Sequence, residues 1–128
     1  MAVRIVRLGT PRQPDEGPRL GTVRRPPRGV PKTQFASGNW YDVWFPVLAP
    51  SVETMKLGQE ARTPAAWAAF AKKYRAEMAE PAAEHSLNLL ATLSRSAAFS
   101  VGCYCEDESR CHRSLLRDLL RVHGAEID

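Results

Sequence analysis

The sequence has no long hydrophobic run. None of its apolar stretches approaches the roughly 18 residues that a membrane-spanning helix requires, so a membrane partner is not expected. The amino-terminal segment alternates Val3 and Ile5 with Arg4 and Arg7, and its apolar part is too short for a secretory signal. We therefore expect a cytoplasmic protein. A length of 128 residues suits one domain with its own core, so a single domain over residues 1–128 is predicted.

Cysteine is scarce and confined to one place. The three cysteines all lie between Cys103 and Cys111, and His112 and Arg113 follow at once. Three cysteines cannot all pair, and Cys103 and Cys105 are too close in sequence for an easy bridge. A disulfide framework is therefore not expected, and the cytoplasm would keep these thiols reduced.

Aromatic residues are missing from the most basic stretch, which runs from Arg24 to Lys32. The net charge is +4, but residues 1–39 carry eight basic and two acidic side chains, and the remainder carries ten basic and twelve acidic. A basic loop binds phosphate or nucleic acid through arginine, and a solvated loop explains the charge equally well. Because Trp40 and Tyr41 follow closely, a nucleic-acid-binding module with structural cysteines is the alternative function.

Hydrophobic periodicity predicts strands at both ends of the chain and helices between them. Ser51 and Thr63 are typical helix caps, and Gly124 is typical of a left-handed helix end. Leu87, Leu89, Leu90 and Leu93 are expected to face inward. The pattern favours an α/β fold, a single layered domain with a small, mainly parallel sheet flanked by helices. We predict strands over residues 3–8, 20–25, 41–46 and 97–104, and helices over 51–58, 63–78, 81–96 and 111–123.

The cysteine cluster falls where the last predicted strand meets the last predicted helix, a common place for ligands in open α/β sheets. Cys111 lies at the helix start, where the partial positive charge stabilises a thiolate. We expect Cys111 to be reactive and His112 to serve as its base or ion-pair partner, so both are candidate catalytic residues. Arg113 would clamp a phosphate or carboxylate.

Three other interpretations of the cluster remain. Cys103 and Cys105 are explained as small buried hydrophobic residues, or as redox partners if either lies within disulfide reach of Cys111. The cluster also supplies zinc ligands by type, but Cys-x-Cys is an unusual spacing, and neighbouring Cys111 and His112 would have difficulty serving one ion. We therefore predict no metal and no cofactor.

Three groups of residues give the chain a resemblance to the YeaO-like family of small bacterial proteins, a domain of unknown function. They are Arg24 with Pro27-Arg-Gly-Val30 and Lys32, then Asp42, Trp44 and Leu48-Ala-Pro-Ser51, then Phe70, Tyr74-Arg75 and Glu77. Cys111-His-Arg113 resembles the signature of the wider family. The chain departs from the pattern at Val23-Arg-Arg-Pro-Pro-Arg-Gly29, where the family typically has Asp-Arg-Leu-Trp-Pro-Arg-Gly.

The resemblance implies an α/β domain with one pocket and no established activity. That pocket would be formed by the Pro-Arg-Gly loop, the Tyr-Arg helix and the Cys-His-Arg junction. Our hypothesis is that this pocket binds a small anion such as a phosphate or a nucleotide and supports thiol-based chemistry. Its expected residues are Arg24, Arg28, Arg75, Cys111, His112 and Arg113.

Overall fold

A four-stranded parallel sheet organises the computed structural model, which describes all 128 residues. The strands are β1 (Ala2–Arg7), β2 (Arg19–Gly21), β3 (Val43–Trp44) and β4 (Ala98–Cys103), in the spatial order β1-β4-β2-β3. The two long strands pair over their whole length, from Ala2 opposite Ala98 to Arg7 opposite Cys103. The predicted α/β fold with a small parallel sheet and flanking helices is confirmed.

Four helices complete the fold, namely α1 (Val52–Glu60), α2 (Pro64–Met78), α3 (Pro81–Leu93) and α4 (His112–Val122). The predicted caps are confirmed: the hydroxyl of Ser51 accepts from the Thr54 N–H at 3.2 Å, and that of Thr63 accepts from Ala66 at 3.1 Å. Gly124 follows α4 with a φ of 91°, the left-handed conformation that favours glycine. None of these helices has the length and apolar character needed to cross a membrane.

One face of the sheet and the inner faces of the helices form the main core. Val3, Phe99 and Val101 point to this face and pack with Tyr74, Leu87, Leu116 and other buried residues of α2, α3 and α4. The inward orientation predicted for Leu89 and Leu93 is wrong, because these side chains are 57% and 40% exposed. Leu89 lies two positions after Leu87, about 200° around the helix, and Leu93 is the last residue of α3.

The two middle strands are shorter than predicted. β2 ends at Gly21, and Thr22 makes the last backbone hydrogen bond to β4, through its N–H to Gly102. Beyond it, Pro26 and Pro27 have no N–H for a ladder. β3 contains two residues, since Pro46 begins a turn of 3-10 helix soon after it.

The opposite face of the sheet is covered by the loop before β2, which a buried ion pair holds in place. Glu16 and Arg19 are 2% and 1% exposed, and Ser100 of β4 donates to the Glu16 carboxylate at 2.9 Å. Arg19 also donates to the carbonyl oxygens of Thr10 at 2.9 Å and Asn39 at 2.7 Å. This network joins the start of β2 to β4 and to the loops that carry Thr10 and Asn39.

Candidate functional site

The sulfur and imidazole groups of the cysteine cluster converge between β4 and α4. The Sγ atoms of Cys103 and Cys105 are 3.8 Å apart, and Cys111 Sγ lies 3.7 Å from His112 Nδ1. The donor atoms of Cys103, Cys111 and His112 all lie within 4.8 Å of one another. Cys103 and Cys111 are buried, whereas Cys105 is exposed. The cluster therefore has a buried interior and one thiol at the surface.

The backbone fixes the orientation of the His112 ring. Its Nε2 lies 2.8 Å from the carbonyl oxygen of Thr22, and a carbonyl only accepts, so Nε2 carries the proton in the neutral ring. The Nδ1 lone pair then faces Cys111. The ring also packs against Tyr74, with 5.5 Å between the ring centroids. A histidine held in this way is suited either to accept a thiol proton or to bind a metal.

Hydrogen bonds among the thiols favour the thiolate form of Cys105. The pKa of Cys105 is lowered because the thiols of Cys103 and Cys111 donate to it, and the charge of Arg113 adds to the effect. The pKa of Cys103 is raised mainly because its hydrogen bond to Cys105 stabilises the protonated thiol. Hydrogen bonding to Cys103 lowers the pKa of Cys111, but the Cys111 side chain is buried. The accessible thiol is therefore Cys105 and not Cys111, the cysteine that we had expected to be reactive.

The buried guanidinium of Arg113 belongs to this cluster. Arg113 is 3% exposed, and its Nη2 donates to the carbonyl oxygen of Cys105 at 2.6 Å. Its Nε has no hydrogen-bond partner, and no carboxylate forms an ion pair with it. A buried charge is costly without a counter-charge, and negative charge near Arg113 comes from the neighbouring thiols and, at longer range, from the Asp107 and Glu108 carboxylates.

A cleft of about 470 Å³ lies at the edge of the sheet where the parallel strands end. The end of β1 and the segments that follow β1, β2 and β4 contribute its lining: Arg7, Leu8, Gly9, Thr10, Pro27, Arg28, Trp40 and Tyr104. Two of these residues are arginines and two are large aromatic residues. Leu8 packs in the same buried cluster as Cys103 and Cys111, so the cysteine cluster lies behind one wall of the cleft.

One hydrogen bond to the backbone and close packing hold Tyr104 and Trp40, the aromatic wall of the cleft. The Tyr104 hydroxyl donates to the carbonyl oxygen of Arg25 at 2.8 Å, and the Tyr104 and Trp40 rings meet edge to face with centroids 5.9 Å apart. Gly9 has a φ of 90°, and a Cβ there would collide with the Trp40 ring. Glycine is therefore required at position 9 for the ring to lie against the chain.

The six residues predicted to share one pocket occupy several places. Arg28 lines the cleft, whereas Arg24 donates to the carbonyl oxygens of Pro46, Ala49 and Pro50. Arg75 lines a separate cavity of about 150 Å³ beside Glu84 and His123. Cys111, His112 and Arg113 are in the buried cluster. The structure therefore does not gather the six around a single cavity.

Three charged or aromatic cleft residues were not assigned to the predicted pocket from the sequence, namely Arg7, Trp40 and Tyr104. Arg7 is the last residue of β1, and Tyr104 directly follows β4. Both strands were predicted, and side chains at the carboxyl ends of neighbouring parallel strands lie close together. That rule would have identified Arg7 and Tyr104, whereas nothing local to Trp40 indicates that its loop returns to this edge.

The parallel sheet and its flanking helices make this an α/β domain, as expected from the sequence. The Cys-His cluster lies where its last strand meets its last helix. Residues 3–124 match the family described as the active DUF488-N3 subclade. The chain therefore belongs to the DUF488 family of YeaO-like domains, whose function is unknown. No curated protein and no solved structure matches the chain.

Proposed function

We propose that this protein binds a small phosphate-bearing ligand of the nucleotide class in the cleft between Arg7 and Arg28. The observation that carries the proposal is the combination of two arginines and two aromatic rings in a cavity of about 470 Å³. Cavities of roughly 300–1,000 Å³ are typical of small-molecule sites. Ligands of open parallel sheets also bind outside the carboxyl ends of the strands, where this cleft lies.

The charges of the cleft support an anionic ligand. Arg28 is exposed. Arg7 donates through Nε to the Tyr104 carbonyl oxygen at 3.3 Å, and its one ion pair is a long contact of 3.7 Å with Glu106, whose side chain is itself exposed. Exposed pairs of this kind contribute little, so both guanidinium groups are available to a ligand. Arginine binds phosphate oxygens in a bidentate manner. A phosphate between Arg7 and Arg28 would therefore compensate both charges.

The aromatic side chains of the cleft favour a ligand that also contains a ring. Trp40 and Tyr104 lie beside the two arginines in the same cleft, and stacking of a base on an aromatic side chain contributes about 1–3 kcal/mol. A nucleotide supplies both groups in one molecule, a phosphate for the arginines and a base for the rings. Inorganic phosphate would use only the first of these contacts.

Calorimetric titration of the protein with adenosine monophosphate tests the proposal. Arg28→Gln should weaken binding by roughly 10-fold to 100-fold, because a hydrogen bond to a charged group contributes about 1.5–3 kcal/mol. Lys32→Gln is the matched control, since Lys32 belongs to the same basic segment but does not line the cleft. Adenosine without its phosphate should bind more weakly than the nucleotide. Equal affinities for wild type and Arg28→Gln would refute the proposal.

The same variants distinguish a nucleotide site from the nucleic-acid-binding alternative. A single-stranded oligonucleotide bound by the whole basic segment would lose affinity in both Arg28→Gln and Lys32→Gln. Its affinity would also fall steeply with salt, because phosphate contacts release counterions. If the cleft selects a mononucleotide, only Arg28→Gln should lower the affinity.

A further inference from the structure

We propose that Cys103, Cys105, Cys111 and His112 form a binding site for a tetrahedral thiophilic metal ion, and that the ion is zinc. The site would have three sulfur ligands and one nitrogen ligand. This proposal rests on the cysteine cluster alone and is independent of the ligand of the cleft. The convergence of Cys103, Cys111 and His112 on one small volume, with Cys105 beside Cys103, carries it.

The spacing of the donor atoms is close to that of a zinc site. Zinc binds sulfur at about 2.3 Å and nitrogen at about 2.0 Å, so two sulfur ligands of a tetrahedral ion are about 3.8 Å apart. The Cys103 and Cys105 sulfurs have this separation, 3.8 Å. Cys111 Sγ and His112 Nδ1 are 3.7 Å apart. The distances among Cys103, Cys111 and His112 reach at most 4.8 Å, so a contraction of about 1 Å would bring these three donors to the spacing of a zinc site. Cys105, which lies beside Cys103, would supply the fourth ligand.

The backbone around Cys111 explains how neighbouring residues can share one ion. Cys111 precedes the first turn of α4 in an extended conformation, with φ −128° and ψ 153°. Its side chain is therefore not subject to the angle of about 100° that separates adjacent residues within a helix. The geometric objection to a shared ion that the sequence raised does not apply to this backbone.

The surroundings of the ligands have the features of a metal site. The Nε2 of His112 is 2.8 Å from the Thr22 carbonyl oxygen, and ligand histidines are commonly fixed by such a hydrogen bond on the nitrogen that does not bind the metal. Three thiolates with one Zn²⁺ carry a net charge of −1, and buried Arg113 supplies the opposite charge beside Cys105. The exposed Cys105 gives the ion a route of entry.

The chemistry of the donors selects the metal. Thiolates favour zinc, Cu(I) and iron–sulfur clusters, and a tetrahedral set of sulfur and nitrogen ligands is typical of zinc. With four protein ligands the site has no open position for water, which is the arrangement of structural zinc sites. Bound zinc would connect the end of β4 to the start of α4 and fix Tyr104, which lies between two of the ligands.

The test is metal titration of the reduced full-length chain with Zn²⁺ and, as a spectroscopic probe, Co²⁺. We expect one equivalent of metal per chain, with Co²⁺ giving thiolate charge-transfer bands and the intense visible bands of a tetrahedral site. Cys105→Ser and His112→Gln should each weaken binding at least 10-fold. His123→Gln is the matched control, because His123 bonds only to the Leu119 carbonyl at the other end of α4, and it should bind like wild type.

Three results would overturn the proposal. These are the absence of stoichiometric binding, a cobalt spectrum that lacks thiolate bands, or a Cys105→Ser variant whose affinity and spectrum match wild type. Since Cys105 is exposed, Cys105→Ser is expected to fold even if substitution of buried Cys111 does not. Circular dichroism of each variant before titration checks this.

Discussion

The buried ion pair between Glu16 and Arg19 gives the most quantitative prediction about stability. Both side chains are almost fully buried, so Glu16→Gln keeps the volume of the side chain but leaves the Arg19 charge without its counter-charge. Loss of one partner from a buried pair typically costs about 3–5 kcal/mol. Arg19 would keep its hydrogen bonds to the carbonyl oxygens of Thr10 and Asn39, so we expect a loss near the lower value, about 3 kcal/mol.

The pH dependence of this loss follows from the pKa of Glu16. Burial by itself would raise that pKa, but hydrogen bonds from Arg19 and Ser100 outweigh burial and lower it below the ordinary value of 4.5. A carboxylate with a lowered pKa stabilises the fold fully above its unfolded value, and the contribution is lost as the pH falls through the folded value. The difference in stability between wild type and Glu16→Gln should therefore be constant above about pH 5 and shrink below pH 4.5.

Urea unfolding followed by circular dichroism at several pH values measures both effects. Asp15→Asn is the matched control, because the Asp15 side chain is 79% exposed and pairs with Arg4 at the surface, so this variant should unfold near the wild-type midpoint. A loss below about 0.5 kcal/mol for Glu16→Gln at pH 7, the range of ordinary surface substitutions, would refute the reasoning. A difference that stays unchanged from pH 7 to pH 3 would refute the assignment of the pKa.

Three further predictions concern other parts of the chain. Arg24→Gln should lower the free energy of unfolding in urea by about 1–3 kcal/mol, since it disrupts hydrogen bonds to three carbonyl oxygens. Calorimetry should find its nucleotide affinity unchanged, and a loss of affinity without a loss of stability would contradict this prediction. Gly124→Ala should lower the free energy of unfolding by about 1 kcal/mol in the same assay, because the φ of Gly124 is positive. A more stable variant would contradict the left-handed conformation at the end of α4. In metal-free protein, mass spectrometry should find Cys105 alkylated before buried Cys103 and Cys111, and equal rates would contradict their burial.

Local signals in the sequence predicted most of the elements. Thr63 and Pro64 mark the start of α2, and the apolar spacing of α4 predicts its buried face, because caps and periodicity act over a few residues. The lengths of β2 and β3 were not predictable in this way. Both strands depend on pairing with chain segments far away in sequence, and such pairing overrides local preference.

The candidate sites were harder to predict than the fold. The sequence indicated that the cysteines and His112 are neighbours, but the extended backbone at Cys111 decides that Cys111 and His112 face each other. The cleft depends on the loop that carries Trp40, which Arg19 ties to the rest of the domain through the carbonyl oxygen of Asn39. A contact of this kind joins residues about 20 positions apart and leaves no periodic pattern in the sequence.

The most direct test of the central claim, a nucleotide site in the cleft, is the set of three tryptophan indole N–H signals in a nitrogen–proton correlation spectrum. Trp40 lines the cleft, whereas the Trp44 indole donates to the carbonyl oxygen of Val23 and Trp67 packs against Phe70. Addition of adenosine monophosphate should shift the Trp40 signal in a saturable manner and leave the other two in place. An unchanged Trp40 signal at saturating nucleotide, or equal shifts of all three, would contradict the account.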